Sequence, residues 1–209
     1  MINSITVPAQ ATQAEACTAC AAALASALGK SVDSDGTKVL IKNNLGFKFV
    51  ANSTTRVGIV ISADSYTYTN AMQAIAYNAD MVIDYCVHGD TVAVGIRTAV
   101  GAVALAEVFT QTESGDDVLV QILNGSQVLV LTEGWTAIQH ISVGVNVNAA
   151  SYIILQKLGA VYFNSVFKEL YAVTSGPNVG TNVTFSANGK NYQLLCYSSS
   201  TARLAMPMD

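Results

Sequence analysis

The sequence is poor in charged residues. Only 11% of its 209 residues are charged, with fourteen acidic residues against ten lysines and arginines, whereas an average soluble domain carries about 25%. The low charge and the 51% hydrophobic content exclude intrinsic disorder. The acidic excess argues against nucleic acid as a partner. We therefore expect a folded chain that covers its surface with neutral polar groups or buries much of it against other subunits.

Long apolar runs and a basic leader are also lacking. The longest apolar stretches, such as Val100 to Ala106 and Val128 to Leu131, fall far short of the roughly 18 residues of a membrane-spanning helix. We therefore expect no membrane insertion. Met1 to Ser4 carry no basic residue and no apolar segment follows them, so the sequence predicts no secretory signal.

Cysteines and histidines are too few and too scattered to indicate a metal or redox centre. The only close spacing is Cys17-x-x-Cys20, and the sequence contains no second such pair and no histidine nearby. The pair lies in an alanine-rich segment, which favours small buried side chains one helical turn apart. We expect no cofactor, no metal, and synthesis in a reducing compartment.

Among the features that are present, the clearest is a helix from about Thr12 to Leu28. Thr12 and Glu15 form a capping box, in which the hydroxyl accepts from a free N–H and the carboxylate accepts from the N–H of the cap. Gly29 supplies a left-handed exit. Glu15 is the only charge within the helix, so we expect the helix to pack against the body or a neighbouring subunit.

The rest of the chain has the pattern of a β protein. Residues 1–10 form an extended lead, and hairpin turns are predicted at Asn44-Leu45-Gly46, His88-Gly89-Asp90 and Asn124-Gly125-Ser126. The predicted fold class is mainly β, with an N-terminal α-helix followed by antiparallel β-sandwich or jelly-roll-like sheets. The predicted organisation is a lead and helix over 1–30 and a β-rich body over 31–209. That body forms one unit or two β subdomains, about 31–131 and 132–209.

The densest group of polar side chains that could carry chemistry lies between residues 80 and 90. If the segment is a strand, three of its members, Asp84, Cys86 and His88, share one face. A Cys–His pair, a metal cluster or paired carboxylates of a glycan hydrolase would use such residues, and a hairpin turn capped by polar groups would use them as well. Because no catalytic motif is present, we expect no enzyme. The group consists of Asp80, Asp84, Cys86, His88 and Asp90.

A second candidate surface is aromatic and neutral. Tyr66 and Tyr68 lie among threonines and an asparagine, and Trp135 is the only tryptophan. Aromatic side chains give rigid contact area and neutral polar groups give hydrogen bonds. These three residues are therefore candidate contacts for a ligand such as a glycan. Ordinary strand and loop positions would show the same composition.

Two stretches carry a resemblance to a known class of protein. Asn188-Gly189-Lys190 with Tyr192, then Ser198 to Ser200, then Arg203-Leu204-Ala205 form one stretch, within residues 161–209. Asp84 to Arg97 form the other, with a polar-Gly-polar turn followed by Val-Ala-Val-Gly-Ile. Together they resemble tail-module virion structural proteins of tailed phages of Firmicutes-type bacteria. The resemblance covers about a third of the chain, leaves out the N-terminal helix, and implies a tail or baseplate component with no catalytic residues to carry over.

The sequence therefore predicts a structural subunit of a tailed phage particle, in its tail, baseplate or neck. The expected partners are further copies of the chain and other virion proteins. The expected location is the virion, assembled in the host cytoplasm. One alternative is a carbohydrate- or receptor-binding module at a tail tip, with a host-surface glycan as its ligand. The other is a glycan hydrolase with carboxylates drawn from Asp80, Asp84 and Asp90.

Overall fold

In the described part of the chain, the protein consists mostly of strands in antiparallel sheets, with one helix. The computed structural model describes residues 2–51, 59–62, 75–98, 103–111, 115–122, 128–130, 135–142, 150–157, 164–165, 171–173, 184–187, 190–195 and 203–208. The helix is α1 (Gln13–Leu28). The strands are β1 (Asn3–Val7), β2 (Ser31–Val32), β3 (Lys38–Lys42), β4 (Leu45–Ala51), β5 (Ile59–Ser62), β6 (Met81–His88), β7 (Thr91–Thr98), β8 (Val103–Gln111), β9 (Asp117–Ile122), β10 (Val128–Val130), β11 (Trp135–Ser142), β12 (Ala150–Lys157), β13 (Asn164–Ser165), β14 (Tyr171–Val173), β15 (Thr184–Ala187), β16 (Lys190–Leu195) and β17 (Arg203–Pro207).

The strands form three sheets. A six-stranded sheet, here the N-terminal sheet, has the order β1-β6-β7-β8-β9-β10, and a small sheet has the order β2-β3-β4-β5. The C-terminal sheet has the order β11-β12-β14-β17-β16-β15, with β13 paired to β12. Every strand pairing among the described residues is antiparallel, from β1 with β6 to β16 with β17. The prediction of a mainly β fold with antiparallel sheets is thereby confirmed for the described residues.

Helix α1 begins and ends where its local sequence predicts. The Glu15 N–H donates to the Thr12 hydroxyl at 3.2 Å and the Thr12 N–H donates to the Glu15 carboxylate at 3.0 Å, which completes the capping box. Gly29 adopts φ 62°, the left-handed conformation of a helix C-cap. In the parts of the chain described above, no helix combines the length and the apolar content needed to cross a bilayer.

The first hairpin turn lies one residue earlier than the sequence predicts. Asn43 and Asn44 have φ of 49° and 65° and form the two-residue turn between β3 and β4, so the prediction of a turn at Asn44-Leu45-Gly46 is wrong there. Asparagine tolerates the left-handed region because its short side chain can bond to its own backbone. Gly46 instead lies inside β4, where the backbone of Val39 on β3 approaches closely.

The main core lies between α1, the small sheet and one face of the N-terminal sheet. Helix α1 contributes Leu24 and Cys20, and the small sheet contributes Phe47 and Phe49. Strands β6 and β7 contribute five apolar side chains. All of these residues are buried. The lead predicted as extended is a strand of this structure, because Val7 is buried in the same core and β1 pairs with β6. The β6 and β7 members are Met81, Ile83, Val92, Val94 and Ile96.

Candidate functional site

The outer face of α1 is made of small, uncharged side chains. Ala14, Thr18, Ala22 and Ser26 recur every four residues along one ridge of the helix, and all four are exposed. Glu15 is the only charged residue of the helix. Solvated helices normally place charged residues opposite their buried face, so this ridge has the composition of a surface that another protein surface covers. We call these four residues the outer helix face.

The inner face of α1 explains why the helix still folds onto the body. Ala16, Cys20, Ala21 and Leu24 are fully buried, and Cys17 and Ala25 are nearly so. Small side chains here let the helix axis lie close to strands β3 and β4. The same choice of small, helix-favouring residues on both faces gives a rigid element that is anchored on one side and neutral on the other.

Strand β1 is a second neutral element, at the edge of the N-terminal sheet. It pairs with β6 from Asn3 opposite Tyr85 to Val7 opposite Met81, and no other described strand pairs with it. Its sequence, NSITV, contains no charged residue and no proline. Ser4 and Thr6 are exposed, Ile5 is half-buried and Val7 is buried. The N-terminal segment 2–28 therefore presents a surface with one charged side chain, Glu15.

A partly buried, hydrogen-bonded polar group lies on the face of the N-terminal sheet opposite α1. The Arg97 Nε donates to Asp84 Oδ2 at 2.6 Å, and Arg97 Nη2 donates to Oδ1 at 3.3 Å. The Ser4 hydroxyl donates to the same Oδ1 at 2.6 Å. The Asp84 side chain is 11% exposed and that of Arg97 20%. The carboxylate thus receives three donors and is held in one orientation.

The register of the strands creates this group. Ser4 lies directly opposite Asp84 on β1, and Gly95 lies directly opposite it on β7. Arg97 is two residues beyond Gly95, so it projects from the same face as a diagonal neighbour. Because Gly95 has no side chain, nothing on β7 stands between the guanidinium and the carboxylate. An acid so fully engaged by donors is suited to holding three strands in register.

The five polar residues predicted as a group do not converge on one site. The Asp80 carboxylate accepts from the Ala9 N–H at 3.1 Å and fixes the link between the lead and α1. Cys86 is buried, His88 is half-buried at the end of β6, and Asp90 is exposed in the turn that follows. Among the described residues, no three histidine, cysteine or acidic side chains are grouped so that they could hold a metal ion.

The buried thiols are held in their protonated form. Burial raises the pKa of Cys17 from 9.0 to about 11. Burial raises that of Cys20 to about 12, with a smaller contribution from Cys17. The Cys20 Sγ lies 4.0 Å from the Met81 Sδ, so the thiol is packed among soft apolar groups. Since the thiolate is the nucleophile and the metal ligand, these cysteines are chemically quiet in the folded protein.

We expect the fold to lose stability as the pH rises above about 9, because of these thiols. Each thiol ionises in the unfolded chain near its ordinary pKa but keeps its proton in the folded chain until about pH 11 or 12. The unfolded state therefore binds fewer protons in that interval, and the free energy of unfolding falls with pH. Urea titrations at pH 7, 9 and 10.5 measure this loss. The variant Cys17→Ala/Cys20→Ala should lose less between pH 9 and 10.5 than the parent chain, and an equal loss would contradict the assignment.

An open depression lies beside the C-terminal end of α1. It has a volume of about 670 Å³ and is lined by residues 29–31 and 40–44. Lys42 is held at its rim, since its Nζ lies 2.9 Å from Asp117 Oδ1, and Asn43 Nδ2 donates to Asp117 Oδ2 at 3.2 Å. The Gln111 amide also donates to Asp117, at 3.3 Å. These bonds tie the first hairpin to the N-terminal sheet.

The predicted aromatic surface lies largely outside the described residues. Tyr66 and Tyr68 are both outside them. Trp135 is the first residue of β11 and lies opposite Lys157 on β12. The three residues therefore stay a prediction as ligand contacts.

Comparison with known proteins matches this chain to no family model, no curated protein and no solved structure. The resemblance to tail-module virion proteins stays a prediction. The surface of residues 2–28 is therefore the feature from which a function can be argued.

Sequence reasoning missed two features of this region. It treated residues 1–10 as a lead without a partner strand, and it placed Asp84 with its neighbours on β6 and not with Arg97. The hairpin pattern from Met81 to Arg97 contained a signal for the second feature. A two-residue turn after His88 sets Asp84 opposite Gly95 and diagonal to Arg97.

Proposed function

We propose that this chain is a structural subunit of a tailed bacteriophage particle, in its tail, baseplate or neck, and that it acts by assembling with copies of itself and with other virion proteins. The observation that carries the proposal is the surface of residues 2–28. Its helix ridge is small and exposed, its strand lies at a sheet edge, and it contains one charged residue. The phage assignment itself rests on the resemblance of residues 84–97 and 161–209.

Charge depletion is the physical link between this surface and assembly. The centres of protein interfaces are depleted in charged residues, because each charge must be desolvated on binding. A mean hydropathy of +0.40 with 11% charged residues describes a chain that gains by covering surface. A self-complementary contact closes into a two-fold dimer, and a head-to-tail contact can close into a ring. The reduced, buried thiols suit assembly in a host cytoplasm.

The finer architecture belongs to the same proposal. The small sheet and α1 share one core with the N-terminal sheet, which supports a β-sandwich in which two sheets face each other. The two sheets built from residues 3–130 and the sheet built from residues 135–207 share no strand. This division supports two β subdomains, about 31–131 and 132–209. Two such units give a subunit one region for ring contacts and another for contacts with a neighbouring ring.

Light scattering on a sizing column, with negative-stain images of the same peak, tests the proposal. We expect a ring, a trimer or a series of oligomers, beginning with a dimer, whose mass rises with concentration. A monomer that stays compact up to the highest soluble concentration would contradict the assembly function. That result would favour the glycan-binding alternative, which an array of host-surface glycans would then test.

A further inference from the structure

The edge of β1 that faces away from β6 lacks the features with which proteins protect sheet edges. In an antiparallel pair, alternate residues direct their N–H and C=O groups away from the partner strand. On β1, this outward side is the side that does not face β6, where a further strand could form main-chain hydrogen bonds. Edge strands are usually blocked by lysine, proline, a bulge or an inward-pointing charge. Residues 3–7 contain none of these, and their register with β6 runs without a shift.

The strand is also self-complementary. If two copies of NSITV pair antiparallel about Ile5, then Ile5 faces Ile5, Ser4 faces Thr6 and Asn3 faces Val7. The central pair is apolar and the pairs beside it are hydroxyl-bearing, which are favourable cross-strand pairs. No charged side chain meets a like charge in this arrangement. A shift by one residue would bring apolar side chains to the polar face, so the central register is the favoured one.

We propose that β1 pairs antiparallel with β1 of a second copy about a two-fold axis at Ile5, which joins two N-terminal sheets into one continuous twelve-stranded sheet. This inference rests on the proposed assembly function and names the contact through which it begins. The polar partners across the junction are Ser4 and Thr6, both exposed in the single chain. Ile5, half-buried at the rim of the core, becomes covered by its mate.

A second copy fits this edge better than a charged partner. A protein that pairs by strand addition supplies main-chain hydrogen bonds, and side chains set which strand is accepted. Every residue of β1 is uncharged, and a second β1 places Ile5 opposite Ile5 and hydroxyl-bearing side chains opposite one another. Five residues bury little area compared with the roughly 800 Å² per partner of a stable complex. The pair is therefore expected to form in a concentration-dependent way.

Charged substitutions at Thr6 test the proposal. Thr6 is exposed and points to the face opposite the main core, so neither Thr6→Lys nor Thr6→Glu should disturb folding. In the two-fold pair the two copies of residue 6 are diagonal neighbours on one face. We expect each variant alone to raise the dissociation constant of the dimer by about tenfold or more through like-charge repulsion and desolvation. We expect a mixture of the two variants to regain the affinity of the parent chain.

Ser34→Lys is the matched control, because it adds the same charge at an exposed position outside residues 2–28 and leaves both β1 and the outer helix face unchanged. Sedimentation equilibrium across a concentration series measures all five samples, namely the parent, the two Thr6 variants, their mixture and the control, and circular dichroism confirms that each protein is folded. If the parent self-associates and neither Thr6 variant weakens it, the β1 pairing is wrong although assembly stands. The pairing is also wrong if Ser34→Lys weakens association as much as the Thr6 variants do, or if mixing the two Thr6 variants does not restore the affinity of the parent chain. A monomeric parent would overturn the pairing and the proposed function together.

Discussion

Replacing Gly46 by alanine is expected to lower the free energy of unfolding by about 3 kcal/mol. Gly46 lies in β4 opposite Leu40, and a Cβ atom at this position would stand 1.8 Å from the Val39 carbonyl oxygen and 2.9 Å from the Val39 carbonyl carbon. The obstacle is backbone, so no side-chain rotation relieves it. The first hairpin would have to open at its bulge, and Phe47 would lose its place in the core.

Gly29→Ala is the control for this prediction. Gly29 has a left-handed φ of 62°, and a Cβ there meets nothing within 4 Å. Its replacement costs only the strain of the left-handed conformation, about 1 kcal/mol. Urea denaturation of both variants and the parent chain measures the two effects. A loss at Gly46 no larger than that at Gly29 would show that the hairpin accommodates the Cβ, contrary to the geometry.

The helix was predictable because its determinants are local. The capping box, the alanine-rich interior and Gly29 all act within a few residues of the helix they define, and the structure places them as expected. The hairpin between β6 and β7 was predictable for the same reason, since Gly89 adopts a positive φ of 53° between two alternating strands. In both cases the residue types that set the element lie inside the element.

The first turn and the lead were not predictable by the same reasoning. Gly46 was placed in a turn because glycine is common there, but its function is to allow the close approach of β3, which no local pattern reports. The lead becomes a strand only because β6, about 80 residues later, offers an edge in the right register. Such pairings depend on the whole fold.

Part of the candidate site could likewise be predicted from the sequence, and part could not. The low charge of α1 is visible in the sequence, and with it the expectation of a covered surface. Which of its side chains face outward depends on packing, and so does the exposure of β1 at an edge. Ser4, Asp84 and Arg97 come from three strands, and only the assembled sheet brings them together.

Replacing Arg97 by leucine is expected to lower the free energy of unfolding by about 3 kcal/mol, since removing one partner of a largely buried ion pair leaves the other charge uncompensated. Asp84 would keep the hydrogen bond from the neutral Ser4 hydroxyl but would lose the cation that compensates its charge. Urea denaturation at pH 7 measures the loss. The double variant Asp84→Leu/Arg97→Leu should recover most of it, because replacing a buried pair by apolar residues is often close to neutral.

This cycle also separates a structural role of Asp84 from a catalytic one. Replacing Asp84 and His88 together does not test for an enzyme, because the loss of Asp84 removes the group to which Arg97 and Ser4 donate and weakens the sheet. Asp90 is exposed in the turn that follows β6, so Asp90→Asn examines the hydrolase alternative without that effect. A small loss for Arg97→Leu, below about 1 kcal/mol as for an exposed pair, would contradict the structural role. That result would favour a catalytic role for Asp84.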